Sequence, residues 1–126
     1  MKTVWAEILI ENGNRAIAAA DLIQGKINTI AEKLKGGQIV DTSTLKSLIT
    51  QLSAEIEESK QNIVTATSYV EKMKTSTKAL EAGKYYLDAR LEVSKASTNL
   101  LGDGRNVVKQ IMAEVKRLAT EIKNQQ

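Results

Sequence analysis

From Trp5 to Ile122 the apolar residues of this chain recur every three or four positions, and no proline interrupts them anywhere. That spacing is the repeat of one face of an α-helix, and no segment alternates with the period of two that a half-buried strand requires. The chain is therefore expected to be all-α. Its 126 residues, 42% of them apolar, are enough for one domain with a real core, so residues 1–126 are read as a single helical-bundle domain.

With proline absent, glycine is the only strong punctuation. Gly36-Gly37 and Gly102-Asp103-Gly104 each follow a periodic run and are read as turns. Asp41, Thr42 or Ser43 would cap the helix after the first, and Asp103 the helix after the second. Before the first turn, Trp5, Ile8, Asn12, Ala16, Ala19, Ile23, Ile27, Ile30 and Leu34 average close to 3.6 residues per step. Trp5 is read as a core anchor on that stripe, and Asn12-Gly13-Asn14 as a weak point, because glycine costs about 1 kcal/mol against alanine inside a helix.

From Leu52 to Leu101 the steps alternate between four and three through Ile56, Ser59, Ile63, Ala66, Val70, Met73, Thr77, Leu80, Lys84, Leu87, Leu91, Ser94 and Thr98. This is a heptad seam. Its many small and hydroxylated members fit close-packed antiparallel helices better than a parallel zipper. One helix spanning residues 43–101 would be about 88 Å long at 1.5 Å per residue, too long for so small a protein to cover. A break is expected between 75 and 84. The resulting architecture is an elongated antiparallel bundle of four helices, about 3–35, 42–76, 78–101 and 104–124. The alternative is a three-helix version with one long central helix. In the last helix Val108, Ile111, Met112, Val115, Leu118, Ala119 and Ile122 form the expected core face, with Lys109, Glu114, Arg117 and Glu121 turned away.

Composition removes most chemistry. The chain has no His and no Cys, so the common imidazole bases, thiolate nucleophiles and zinc or haem ligand sets are missing, and no catalytic, cofactor or metal residues are assigned. Glu55, Glu57 and Glu58 read as an exposed acidic face. No Gly-rich phosphate loop follows a strand. An excess of 18 basic over 15 acidic residues is spread thinly. Only residues 102–126 lean basic, and Glu114 and Glu121 interrupt that stretch, which argues against nucleic acid. No apolar run reaches the roughly 20 residues of a membrane span, and the N-terminus lacks the pattern of a signal peptide, so a cytoplasmic protein, or one exported without a visible signal, is expected.

The third predicted helix carries two neighbouring apolar stripes, Leu80, Leu87, Leu91, Leu101 and Tyr86, Ala89, Val93, Ala96, Leu100. One neighbouring helix cannot bury both. A second neighbour in the fold or another chain must cover the surplus. The expected function is a non-enzymatic structural or protein-interaction bundle, self-associating or docking helix to helix with a protein partner, with Tyr85, Tyr86, Val93 and Leu100 as candidate contacts. The alternative is a ligand-binding or sensory bundle, for which Thr77, Lys84, Ser94 and Thr98 are the available polar groups.

Overall fold

In the computed structural model, residues 2–35 and 41–125 are described. Helix α1 (Lys2–Lys35) has 34 residues and α2 (Ser43–Thr75) has 33. Helix α3 (Ala79–Thr98) runs into a six-residue π-helical turn (Asn99–Gly104), and α4 (Arg105–Gln125) continues from it. Thr98, Asn99 and Arg105 all keep right-handed helical dihedrals, near φ −62° with ψ between −40° and −44°. So α3, the π turn and α4 form one rod, about 70 Å long at 1.5 Å per residue. Among the described residues the fold is thus all-α with three helices and no strand, and the three-helix count replaces the four-helix one.

The fusion falls at Gly102-Asp103-Gly104, where a turn was expected. Glycine stops a helix when it adopts a left-handed cap, and nothing forces one here. A π turn instead takes in one extra residue by bonding i to i+5. Gly104 suits this because a Cβ there would stand 3.0 Å from the Asn99 carbonyl oxygen. Asp103 consequently caps nothing.

The other break lies where the spacing put it, at residues 76–78. The Ser76 amide still donates to the Met73 carbonyl at 3.3 Å, while Ser76 turns extended at ψ 131°. At the start of α2, Thr42 takes the N-cap position without a side-chain bond of its own, and Asp41 Oδ1 before it accepts the Ser43 amide at 2.9 Å. The Ser43 hydroxyl, which donates to the same oxygen at 2.5 Å, and then the amide hold the Asp41 carboxyl below its ordinary range. The expected turn at Gly36-Gly37 lies outside the described residues.

Helix α2 is central and packs antiparallel to both neighbours, so α1 and α3 run parallel. Two ion pairs, Glu7 to Lys74 at 3.0 Å and Asp21 to Lys60 at 3.3 Å, recur two heptads apart on both helices and mark the register of α1 on α2. Between α2 and α3 the marks are Ser59 Oγ, 3.4 Å from the Ala96 carbonyl, and the stacked rings of Tyr69 and Tyr85, 6.4 Å apart. Ser59 is fully buried, and its hydroxyl donates back to the Glu55 carbonyl at 2.9 Å. Small residues at Ser59, Ala66, Ala89 and Ala96 let these two helices approach closely.

The core has two ends. Toward the 76–78 turn, Ala6, Ile17, Ile63, Val70, Met73, Ala89 and Val93 pack together. Toward the other end, Ile27, Leu45, Leu48, Ile56, Ile111 and Leu118 do so. Fully burying residues such as Leu45, Ile111 or Leu118 stabilises by about 1.5–3 kcal/mol each.

In α1 the buried column is Ala6, Ile10, Gly13, Ile17, Ala20, Gln24, Ile27, Ala31 and Leu34, in whole or in part. It lies one position round from the expected stripe. Trp5 is therefore 56% exposed and no core anchor. Asn12-Gly13-Asn14 is unbroken helix. Gly13 is buried, and a Cβ on it would collide with Ile63 Cδ1 and lie 4.0 Å from Val93 Cγ1. Glycine is there because three helices meet at that point.

Helix α4 shows a similar rotation. Ile111 and Leu118 are buried as expected, but Val107 and Glu114 join them while Met112 and Ala119 face solvent. Because α4 is the continuation of α3, its facing is set upstream of the π turn and not by a free loop.

Candidate functional site

The four residues singled out as partner contacts belong, in whole or part, to the bundle's own interior. Val93 is 8% exposed in the core. Tyr85 is half-buried against Tyr69, with Lys72 Nζ 6.0 Å from its ring centre. Tyr86 packs on the same core end, and Leu100 bridges both core ends. The polar seam residues Thr77, Lys84, Ser94 and Thr98 are all exposed and converge on no interior space.

Burying one stripe of α3 leaves the other outside. Leu87, Leu91 and Leu101 are 57–60% exposed and Leu80 is 90% exposed. The parallel helix α1 does the same with its larger column, leaving Trp5, Ile8, Leu22 and Ile23 outside. Helical phase at about 100° per residue turns both sets toward the side of the molecule opposite α2, where α1 and α3 run together. Of the eleven large apolar side chains exposed among the described residues, eight lie on this face. The concentration distinguishes it from the singly scattered apolar residues of an ordinary surface.

Part of the face is hollow. Beside the π turn a groove of about 350 Å³ opens between the helices, floored by Ala16, Ala20, Leu52, Leu100 and Gly104 and rimmed by Ile23, Leu101, Arg105 and Val108. Small residues make the hollow: Ala16, Ala19 and Ala20 on α1 face Gly104 on the rod. Arg105 is the one charged group in the lining. Such a wall holds apolar surface and positions no reacting atoms.

Acidic groups collect on the other flank. Glu55 sits half-buried beside the π turn, and burial first, then Asp103 and Glu58, pushes its carboxyl up from the ordinary value. Its Oε2, like Asn62 Nδ2, is shielded without a hydrogen-bond partner. The expectation that Glu55 is exposed is corrected accordingly, while Glu57 and Glu58 are exposed. Further along, Glu114 is 8% exposed and is gripped by the Arg117 guanidinium, with Nη2 to Oε2 at 3.0 Å. Those bonds hold the Glu114 carboxyl below its ordinary range and raise Arg117 further. No group of three or more acidic residues able to hold a metal ion occurs among the described residues, nor is any helix there long and apolar enough to cross a membrane.

The sequence contained the exposed α3 stripe. It did not reveal that the matching stripe of α1 lies beside it, because only the chain directions of the folded bundle make α1 and α3 parallel neighbours. No protein-family model matches the chain, and no similar curated protein or solved structure is found.

Proposed function

We propose that this chain is a non-enzymatic protein-interaction module that receives a helix along the face shared by α1 and α3. The observation that supports it is the gathering of Trp5, Ile23, Leu87, Leu91 and Leu101 along one side, hollowed beside Ile23 and Leu101. In an antiparallel four-helix bundle that side is filled by a fourth helix. Here the segment that could have turned back to fill it continues straight through the π turn as α4. The vacant position calls for a helix from outside, either a second copy or another protein. A ligand-sensing role draws less support, since Arg105 alone among charged groups reaches the groove.

The test uses Leu91→Glu, which places charge on the face without entering the core. Mass by light scattering, from micromolar to hundreds of micromolar chain, is measured beside helicity and Trp5 emission. Assembly that weakens in the variant while helicity holds supports the reading for a second copy. A monomeric parent directs the test to added helical peptides. A parent that is monomeric throughout and whose Trp5 emission no helical peptide shifts would refute it.

A further inference from the structure

Resting on that reading, we infer that the occupant is a foreign amphipathic helix with acidic residues flanking its apolar stripe. The inference comes from how charge is sorted around each helix. In α1 every acidic residue falls in two heptad columns, Glu7 with Asp21 toward α2 and Glu11 with Glu32 one column beyond Ile8 and Leu22, so none lies within the face. The columns within it carry Arg15, Lys26 and Lys33. In α3 the acids Glu81, Asp88 and Glu92 lie toward α2 or outside, while Lys84 and Arg90 share the face with the exposed leucines. A chain with a net charge of only +3 thus presents an apolar face whose own charged residues are all cationic.

Apart from Arg15, which Glu11 engages, these cations are also unspent. Glu7 and Asp21 are engaged by Lys74 and Lys60 of α2, and Glu11 by Arg15. Lys26, Lys84, Arg90 and Arg105 have no carboxylate within ion-pair distance among the described residues. A symmetric dimer through this face would set its cations against their twins, and like charges across an interface select against that pairing. Carboxylates on the incoming helix would meet these cations instead.

Shape favours a helix over a flat anionic surface. The face runs from Trp5 to Ile30, about 38 Å at 1.5 Å per residue, which matches a helix of about 25 residues. Its floor at Ala16, Ala20 and Gly104 is recessed between the two helices. A bilayer resting on the rims of Leu87 and Leu91 would leave that floor empty. A ridge of side chains on a helix would fill it.

The experiment titrates the full chain with two synthetic peptides of that length, sharing one leucine heptad and differing only in Glu or Lys at the flanking positions. Trp5 emission reports occupancy, because it is the only tryptophan and lies on the face. The Glu peptide is expected to bind at least about tenfold more tightly, with the gap closing as salt is raised. Lys26→Glu combined with Arg90→Glu should reverse the preference, whereas Lys46→Glu on α2 should leave it unchanged, with helicity constant in both. Equal binding of the two peptides would overturn the acidic partner and leave the docking face standing. Failure of both peptides, beside a self-associated parent that Leu91→Glu dissociates, would assign the face to a second copy. A Trp5 shift with vesicles of phosphatidylglycerol and phosphatidylcholine, but with neither peptide, would assign it to lipid. Binding of the Glu peptide that survives both Leu91→Glu and the charge reversal would place the contact elsewhere and refute the inference.

Discussion

Gly13 offers the most direct check on how the three helices meet. Replacing it with alanine changes two opposing quantities. The helix gains about 1 kcal/mol of intrinsic propensity. Against that, the new Cβ would overlap Ile63 Cδ1 and stand 3.2 Å from Ile63 Cγ1, in a site where Ile63 is only 4% exposed. Overpacking of this kind costs about 1–3 kcal/mol, so Gly13→Ala should be neutral to about 2 kcal/mol destabilising. Ile63→Val removes the colliding methyl and by itself costs about 0.5–1.5 kcal/mol. The two together should cost less than their sum, because the alanine methyl occupies the space the isoleucine vacates and the propensity gain is then realised. A favourable coupling of about 1–2 kcal/mol is expected for residues in direct contact. Urea unfolding followed by far-ultraviolet circular dichroism measures all four corners of the cycle, with unchanged slopes as the control. Additivity within about 0.5 kcal/mol would refute the contact. Stabilisation by Gly13→Ala alone, at about the full 1 kcal/mol of propensity, would show that the position faces solvent and that α1 docks by another column.

The π turn yields a contrast between neighbouring glycines: Gly104→Ala should be neutral to about 2 kcal/mol destabilising, its Cβ pressing on the Asn99 carbonyl against the same propensity gain, while Gly102→Ala, with nothing within 4 Å of its added Cβ, should be neutral or gain up to about 1 kcal/mol, both read from urea midpoints. Glu114 has its folded pKa held below the ordinary 4.5 by Arg117, so its contribution is present above that value and lost as pH falls through the folded pKa; Glu114→Gln should lower Tm at pH 7 and matter little in acid. Glu55 has the opposite sign, its pKa being raised above 4.5 by burial, so stability is lost as pH rises through the folded value and Glu55→Gln should raise Tm at neutral pH. Trp5, at 56% exposure, should emit at long wavelength and be quenched by iodide in the free monomer; a blue, protected emission would mean that its stripe faces the core.

The period of the apolar residues was enough to read the helices, the close α2 to α3 packing and the break at 76–78. It was not enough to choose between adjacent columns, and the reason is physical. In α1 the stripe that looked like the core, with Trp5, Ile8 and Ile23, is more hydrophobic than the column that is buried around Ala6, Gly13 and Ala20. In α3, Ala82, Ala89 and Ala96 go inward while Leu80, Leu87 and Leu91 stay out. Helices that approach closely bury their small residues, and hydropathy ranks those residues low. Gly13 was the available clue. Read as a helix weakness, it is a point of contact. The glycines at 102 and 104 misled in the same direction, since a residue that permits a left-handed cap does not require one. The candidate face follows from these choices: the leftover stripe of α3 was visible in the sequence, and its companion on α1 was hidden by being assigned to the core.

Two helices pointing one way and one the other leave the bundle with an unbalanced axis. The N-termini of α1 and α3 share the end near the 76–78 turn, where only α2 contributes a C-terminus. Partial positive charge gathers there, and the opposite end is left with partial negative charge to the extent that α4 does not carry it further along. A helix received on the open face is favoured when it runs with α2, bringing its own C-terminus beside Trp5 and Leu80. Each terminal contact is worth about 0.3–1 kcal/mol at low ionic strength, so the preferred direction should dominate in dilute buffer and fade with salt. A quencher on the C-terminus of the bound peptide should then silence Trp5, and the same group on its N-terminus should leave the emission untouched.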